Sequence, residues 1–579
     1  MNINSARVDF KSPSLPQGGL AFDSFDRIIE AATLDEVIPA LEELERAARD
    51  GYYAVGYLAY EAAPAFEAAL QTSPPRDDFP LLLFGLTRNP VAGTQNFTGE
   101  FAFGQWQPAW NYGQYKTAFE QVQREITAGN TYQVNLTFPL QSSFTGSVEA
   151  CYDQLYHAQS SNYCGYIKTD RFSIVSASPE LFFEIQGNRI MTRPMKGTMS
   201  RGTTPENDNL MRQRLADSIK DQAENLMIVD LLRNDLGRIA VHGSVMEPEI
   251  FAIEKYPTVW QMTSSVEAEL PPDSSLVEIF KAIYPCGSVT GAPKISTMKI
   301  INELETAPRD VYCGAFGVIL PGGNAVFNVP IRTVLIEGNK ATYHVGSGLV
   351  TDSNDKSEYE ECLLKAKVLS REYACFELLE TMKWTPEAGF DLLSSHLERM
   401  AQSAEYFDYI FNFEEVEAAL KSKADNWTGP MRVRLLLDKT GAITIEAIPL
   451  PPDNPLKTIK LASKNIDSGN LFLYHKTTNR GIYEKFHTEA APDADDVLLY
   501  NERGEITECT IANIAVQLDE SGPWYTPPVS SGLLNGTMRR HLLENEELIE
   551  RVITLDDLKG AAALKLMNSV RGLFSVQLI

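Results

Sequence analysis

Residues 164–198 read CGYIKTDRFSIVSASPELFFEIQGNRIMTRPMKGT. The run 164–185 is rich in Ile, Val, Phe and Tyr, the composition of successive strands. It leads into Arg193-Pro194-Met195-Lys196-Gly197-Thr198. There proline fixes the approach, and glycine lets the backbone come close to a bound molecule. Lys196 is therefore either a solvated turn residue or an amine held against a ligand. Glu180 stands where a strand begins amid Leu181, Phe182 and Phe183. A carboxyl there is either a solvated strand end or an acid with a raised pKa.

On the N-terminal side, Tyr115 to Ala128 has a helical stripe of Phe119, Val122 and Ile126, with Gly129-Asn130 as its stop. In TYQVNLTF (131–138), apolar Tyr132, Val134, Leu136 and Phe138 alternate with Gln133, Asn135 and Thr137. That alternation predicts a half-buried strand whose amide face is either solvated or turned to a ligand. On the C-terminal side, Thr204-Pro205 reads as the cap and first residue of one long helix stopping near Gly237. Asp221 and Glu224, at i and i+3, share a face of it, beside an apolar LMIV run at 226–229 that marks burial. The stretch YPCGSVTGAPK (284–294), opening a helix at 294–304, has the shape of an anion cradle. NVPIRT (328–333) reads as a strand carrying Arg332, and YHVGSGLV (343–350) as a second glycine turn. A helix from near Ser353 carries Glu358 and Glu361, followed by Lys365. Two acidic pairs without His or Cys suit a hard cation such as Mg²⁺, with solvated helix faces as the alternative.

At 579 residues the chain is too long for a single core. A formal charge of −26 argues against nucleic acid and against an anionic membrane surface. No signal pattern opens the sequence, and no apolar run approaches the ~18 residues of a membrane span. The seven cysteines are scattered, with no C-x-x-C pair, which is the usage of a cytoplasmic protein.

The motifs TYQVNL, SPELF, RPMKGT, ENLMIVDLLRNDLGR, GSVTGAPK, IRT, GSG and SEYEE, in this order over 115–370, resemble the chorismate-utilising enzymes. That family comprises anthranilate, isochorismate, salicylate and aminodeoxychorismate synthases. The resemblance implies Mg²⁺ on Glu224 and Glu361, with Asp221 and Glu358 in support. It gives the substrate carboxylates to Arg332, Gly346, Gly348 and Lys365, with Gln133, Thr198 and Thr290 completing the substrate site. Glu180 matches the general acid. Gln133 replaces the lysine base of the hydroxylating members, which argues against isochorismate and salicylate synthesis. Lys196 marks the aminodeoxychorismate synthases, where it would be a covalent nucleophile. No glutaminase signature is present, so a separate glutamine amidotransferase subunit is the expected source of ammonia.

A new pattern begins at CFELLETMKW (375–384). SSHLERMAQSAEYF (394–407) is an amphipathic helix whose stripe of Leu397, Met400, Ala404 and Phe407 leaves Arg399 outside, with an ordinary surface arginine as the bland alternative to a functional one. Segments 431–438 and 443–450 read as one hairpin, 497–516 as another with Glu508 in its second arm, and PPDNP (451–455) as an inter-lobe break. Lys476 precedes a helix, SGLLNGTMRRHLL (531–543) is a glycine turn opening one, and LMNSVRGL (566–573) is a strand end. The order HLER, KTTNR, TECTIANI, LLNGTMR and MNSVRG resembles the class IV pyridoxal-phosphate fold. That fold holds branched-chain and D-amino-acid aminotransferases and aminodeoxychorismate lyases. The resemblance puts the cofactor on Lys476, its pyridine nitrogen on Glu508 and its phosphate on Arg399, Thr537 and Ser569.

The expected fold is α+β, with large antiparallel sheets and outer helices over 1–374, then a two-lobed pyridoxal-phosphate domain over 375–579 (lobes about 375–453 and 456–579). The expected function is synthesis of 4-aminobenzoate from chorismate and ammonia in two steps. A homodimer through the second domain is a further expectation. One alternative is an anthranilate synthase large component joined to an aminotransferase, and another is an inactive regulatory or binding subunit.

Overall fold

The computed structural model describes residues 1–579 apart from 94–96, 98, 371–375, 452–455 and 491–492. The change of pattern at 375 and most of the break at 451–455 lie outside the described residues. The chain packs as two units. One is Met1–Ser200 with Met211–Tyr373, and the other is Ala374–Ile579 with Arg201–Leu210. No helix among the described residues is long and apolar enough to cross a membrane.

The first unit is built on two antiparallel sheets, of eleven and ten strands among the described residues. Strand Ser173–Ser178 belongs to the larger sheet and Leu181–Gln186 to the smaller, with only Pro179 and Glu180 between them. The chain crosses back between Ala325–Asn328 and Thr333–Glu337. The two crossings lie side by side. The Val329 N–H donates to the Glu180 carbonyl at 3.1 Å, and the Ala177 N–H to the Arg332 carbonyl at 3.1 Å. NVPIRT is thus no single strand, because the chain changes sheets within it. Arg332 takes a left-handed φ of 51° at the turn.

The strand expected at 131–138 is Gln133–Gly146, and both its faces are buried from Gln133 to Leu140. Its polar side chains are not solvated because other segments cover them: Asn135 donates to the Val289 carbonyl at 3.1 Å and the Thr137 hydroxyl to Glu305 at 2.9 Å, while Gly291-Ala292 and Lys340–Leu349 pair with the strand's backbone. Tyr132, just ahead of it, is 66% exposed. Gly346 and Gly348 lie inside the partner strand rather than in a turn, with Gly348 opposite Asn135. The long helix expected after Thr204 is two helices, Pro205–Ala216 and Ile219–Gly237. Ser218 restarts it, its hydroxyl accepting from the Asp221 N–H at 3.3 Å. Only part of the LMIV run faces the core: Ile228 and Val229 are buried, while Leu226 is exposed. Helices Tyr112–Thr127, Lys294–Leu304 and Asp355–Ala366 fall where the periodicity predicts them, within a few residues.

Among the described residues the second unit holds a four-stranded sheet between Leu378 and Pro449 and an eight-stranded mixed sheet between Thr458 and Leu578. The two expected hairpins are present, at Met431–Leu437 with Ile443–Pro449 and at Asp496–Tyr500 with Ile506–Cys509. Arg399, on helix Leu393–Phe407, is buried rather than a surface residue.

Candidate active sites

In the first unit the strand Met195–Ser200 lies at the end of the ten-stranded sheet, paired with Val259–Glu269. Gly197, at φ 91°, lets this strand press against helix Ile219–Gly237. A Cβ there would stand 2.9 Å from the Asp221 Cβ. Asn225 of the same helix donates to the Lys196 carbonyl at 3.3 Å. The Lys196 side chain points to the other sheet. A Cβ on Gly348 would lie 2.6 Å from Lys196 Nζ and 2.5 Å from Gln133 Nε2. Amine, amide and bare glycine therefore meet at one point, the form of a ligand cradle. Gln133 is 1% exposed and its Oε1 has no hydrogen-bond partner.

Glu180 comes to the same place from the sheet crossing, and its Oε1 is likewise buried without a partner. Burial pushes its pKa up to about 7, against the pull of a Ser288 hydrogen bond and of Lys196. Lys196 moves the opposite way. Burial lowers its pKa, and Lys365 adds to that, although Glu224, Glu180 and Glu361 favour the charged form. An acid and an amine displaced toward neutrality in one recess are a suitable pair for proton transfer and nucleophilic attack.

The remaining residues divide. Arg332 has no carboxylate in ion-pair range among the described residues, and its Nη1 donates to Gln159 Oε1 at 2.5 Å. Its left-handed backbone is strain of the kind found at binding sites. Lys365 donates to the Gly346 carbonyl at 2.9 Å and pairs with Glu361 at 2.7 Å. Thr198 is exposed, with its hydroxyl on Gln261 at 2.8 Å. Thr290 is buried, and its hydroxyl donates to the Cys286 carbonyl at 3.1 Å, so it shapes the loop. The 284–294 loop is no open amide cradle. Its backbone pairs with Gln133 and Val134 and accepts the Asn135 N–H, and from it Ser288 reaches Glu180.

Among the described residues no three His, Cys, Asp or Glu side chains stand close enough to enclose a metal ion. The carboxylates are nonetheless a hard, all-oxygen set. Burial raises the Glu224 pKa, and the like charges of Asp221 and Glu358 add to it against Lys196 and Lys220. That is the electrostatic state a divalent cation would relieve. Glu361, itself exposed, is held below the ordinary carboxylate value, with Lys365 and Lys196 outweighing its partial desolvation.

In the second unit Lys476 is fixed through its backbone. Its carbonyl accepts the Leu379 N–H at 2.9 Å, and Thr477 bridges Leu378. Burial first, then Arg399 and Arg480, bring the amine down to about 8. Glu508 is buried and pushed up to about 7. It accepts from the Tyr483 hydroxyl at 2.8 Å, the Asn513 amide at 3.0 Å and the Leu534 N–H at 3.1 Å. Thr537 begins helix Thr537–Glu544, and a Cβ on Gly536 before it would collide with Asn513 Oδ1 at 2.0 Å. Ser569 donates to the Thr381 carbonyl at 2.9 Å. Arg399 is held by Glu380 through Nε at 2.8 Å and Nη2 at 2.6 Å, and Glu380 also meets His396 Nδ1 at 2.6 Å. A half-buried amine with no hydrogen-bond partner among the described residues, a buried acid within three donors and a basic, amide-bearing corner fit a pyridoxal-phosphate site. Sequence reasoning missed Glu380, His396, Tyr483 and Asn513. The histidine of HLER and the asparagine five residues after Glu508 were the available signals.

Residues 9–371 match the model of the chorismate binding enzymes, and residues 377–579 that of the class IV aminotransferases. Aminodeoxychorismate synthase component 1 of Salmonella typhimurium is 40% identical over 256 residues, covering 44% of this chain and 56% of that protein. The chain thus spans little more than half the length of that relative. Anthranilate synthase component 1 of Saccharolobus solfataricus is 34% identical over 332 residues, covering 54% of this chain and 79% of that protein. The crystal structure of anthranilate synthase component I from Streptococcus pneumoniae superposes with a TM-score of 0.53 at 23% identity, over 64% of this chain and 91% of that one, a likeness of fold. The chain belongs to the chorismate binding enzyme family, followed by a class IV aminotransferase region.

Proposed function

We propose that the chain converts chorismate to 4-aminobenzoate, the first unit aminating C4 and the second removing pyruvate. The observation that carries this reading is the Lys196 amine, held toward neutrality beside Glu180 and facing Gln133 across Gly348. Anthranilate synthesis needs no amine at that position.

Arg332, free of carboxylate partners among the described residues, and Lys365 would hold the substrate's carboxylates. Lys196 would add at C2 while the C4 hydroxyl leaves with the proton of Glu180. Ammonia would then attack C4, the double bond would shift back and the lysine amine would depart, so the two displacements retain configuration. Asp221, Glu224, Glu358 and Glu361 are the residues that would hold Mg²⁺. When bound, it would supply positive charge to a substrate carboxylate and to the acidic cluster. Gln133 offers no base to activate water, which disfavours hydroxylation at the same carbon.

In the second unit Lys476 would hold pyridoxal phosphate and move the C4 proton of the aminated product. The cofactor, when bound, supplies an electron sink. Glu508, steadied by Tyr483 and Asn513, would face its ring nitrogen, while Arg399, Thr537 and Ser569 would face its phosphate. Ammonia would come from a separate glutamine amidotransferase.

The test is to incubate the protein with chorismate, an ammonium salt, Mg²⁺ and pyridoxal phosphate and to identify the aromatic product. We expect 4-aminobenzoate; anthranilate or salicylate as the main product would overturn the reading. Lys196→Ala should abolish 4-aminobenzoate formation from chorismate while sparing pyruvate release from supplied 4-amino-4-deoxychorismate. Loss of both activities would instead mean that Lys196 is structural.

A further inference from the structure

Three residues expected to face a phosphate in the second unit are tied to one dipeptide, Glu380-Thr381, on strand Leu378–Thr385. Arg399 gives Glu380 two hydrogen bonds, leaving Nη1 to reach the Asn535 carbonyl at 3.1 Å. His396 meets Glu380 through Nδ1, and its Nε2 lies 3.3 Å from the Thr537 hydroxyl. Ser569 is bound to the Thr381 carbonyl. Glu380 is 1% exposed, His396 0% and Arg399 9%, so these contacts are shielded from water.

We propose that Glu380 is the positioning residue of this phosphate pocket, orienting Arg399 directly and the start of helix Thr537–Glu544 through His396 and Thr537. The inference rests on the pyridoxal-phosphate reading of this unit. Its chemistry follows from hydrogen-bond bookkeeping. Glu380, paired with Arg399, is an ionised acceptor, so a contact of 2.6 Å requires the proton on His396 Nδ1. Nε2 is then an acceptor, and the Thr537 hydroxyl must donate to it. Burial keeps His396 from taking a second proton, although Glu380 opposes this. Thr537 therefore offers an incoming phosphate its N–H in the first helical turn, where no intrahelical carbonyl competes. Arg399 offers the Nη1 hydrogen that neither Glu380 nor the Asn535 carbonyl occupies. Glutamine at 380 would break this pattern, since its –NH₂ must face a donor on either Arg399 or His396.

The experiment compares binding of pyridoxal phosphate and of pyridoxal, which lacks only the phosphate, to the full chain through the absorbance of the bound chromophore. In Glu380→Gln the preference for the phosphorylated form should fall about tenfold or more, with pyridoxal affinity unchanged. A preference within about twofold of the native protein, or equal loss of both ligands, would show Glu380 to be structural only. Circular dichroism checks folding. If Glu380→Gln does not fold, His396→Asn decides by the same ratio, because asparagine keeps a donor for Glu380 but cannot reach Thr537. Failure of the native protein to bind pyridoxal phosphate at all would instead remove the reading on which this rests.

Discussion

Three carboxylates, Glu224, Glu180 and Glu361, favour a charged Lys196, yet burial leads the opposing side and the amine is lowered. Desolvation acts on the whole unit charge, while each carboxylate acts across intervening space. The same contest at Lys476 and Glu508 gives values that fix a pH window. Lys476 has a folded pKa of about 8 against an ordinary 10.5. A lowered lysine costs stability below pH 8, and the cost is relieved as pH rises from 8 to 10.5. Glu508 has a folded value of about 7 against 4.5. Its cost is absent below pH 4.5 and grows up to pH 7. Each effect is on the order of 3 kcal/mol. In cofactor-free protein, the unfolding free energy of the native chain relative to Glu508→Gln should therefore fall between those two lower pH values. Relative to Lys476→Met it should rise between the upper two. Urea unfolding across the range measures both differences, and flat curves would mean that neither group is buried in its charged form.

Two glycines on the elements around Lys196 act in opposite ways. On Gly348 a methyl group would strike only the ends of flexible side chains, Lys196 Nζ and Gln133 Nε2. Gly348→Ala should therefore keep the melting temperature and lower chorismate amination by at least about tenfold, because the displaced amine leaves its attacking position. On Gly291, at φ 143°, the methyl would stand 2.0 Å from the Gln133 carbonyl oxygen, which the strand cannot move. Gly291→Ala should cost about 1–3 kcal/mol of stability. Thermal unfolding beside initial rates separates the two; equal effects at both positions would undo the argument. Such contacts are also where sequence reading stopped. Helix Lys294–Leu304 and the hairpins of the second unit were legible because periodicity and turn residues are local. The passage from one sheet to the other at Glu180 and at Arg332 was not, because a strand pattern does not say which sheet receives it. The burial of Arg399 was not legible because Glu380, the acid that makes it tolerable, lies nineteen positions away on a strand. The acidic residues were legible one by one, but not that, among the described residues, no three of them would stand close enough to enclose a metal ion.

At the scale of the molecule, the chain does not pass from one unit to the other at a single point. It leaves the first unit after Ser200, contributes Arg201–Leu210 to the second and returns at Met211. Within the second unit that segment is held by specific contacts. The Arg201 guanidinium lies 4.1 Å from the centre of the Tyr406 ring, and the Tyr406 hydroxyl donates to the Gly202 carbonyl at 2.9 Å. Arg201 pairs with Asp208 at 2.6 Å, both side chains under a tenth exposed, and the Gly202 N–H donates to the same carboxylate at 2.9 Å. Tyr406 in turn packs 4.6 Å from His475, the residue before Lys476. Removing one partner of so buried an ion pair costs about 3–5 kcal/mol. Asp208→Ala should therefore lower the thermal transition that pyridoxal phosphate raises by roughly 6 °C or more. Ammonia-dependent consumption of chorismate, assayed below that transition, should persist, because Asp208 lies outside the first unit. Calorimetry with and without pyridoxal phosphate, beside the chorismate assay, measures both. An unmoved transition would mean that the segment is not part of the second unit's cooperative fold, and loss of chorismate consumption would mean that the first unit depends on it.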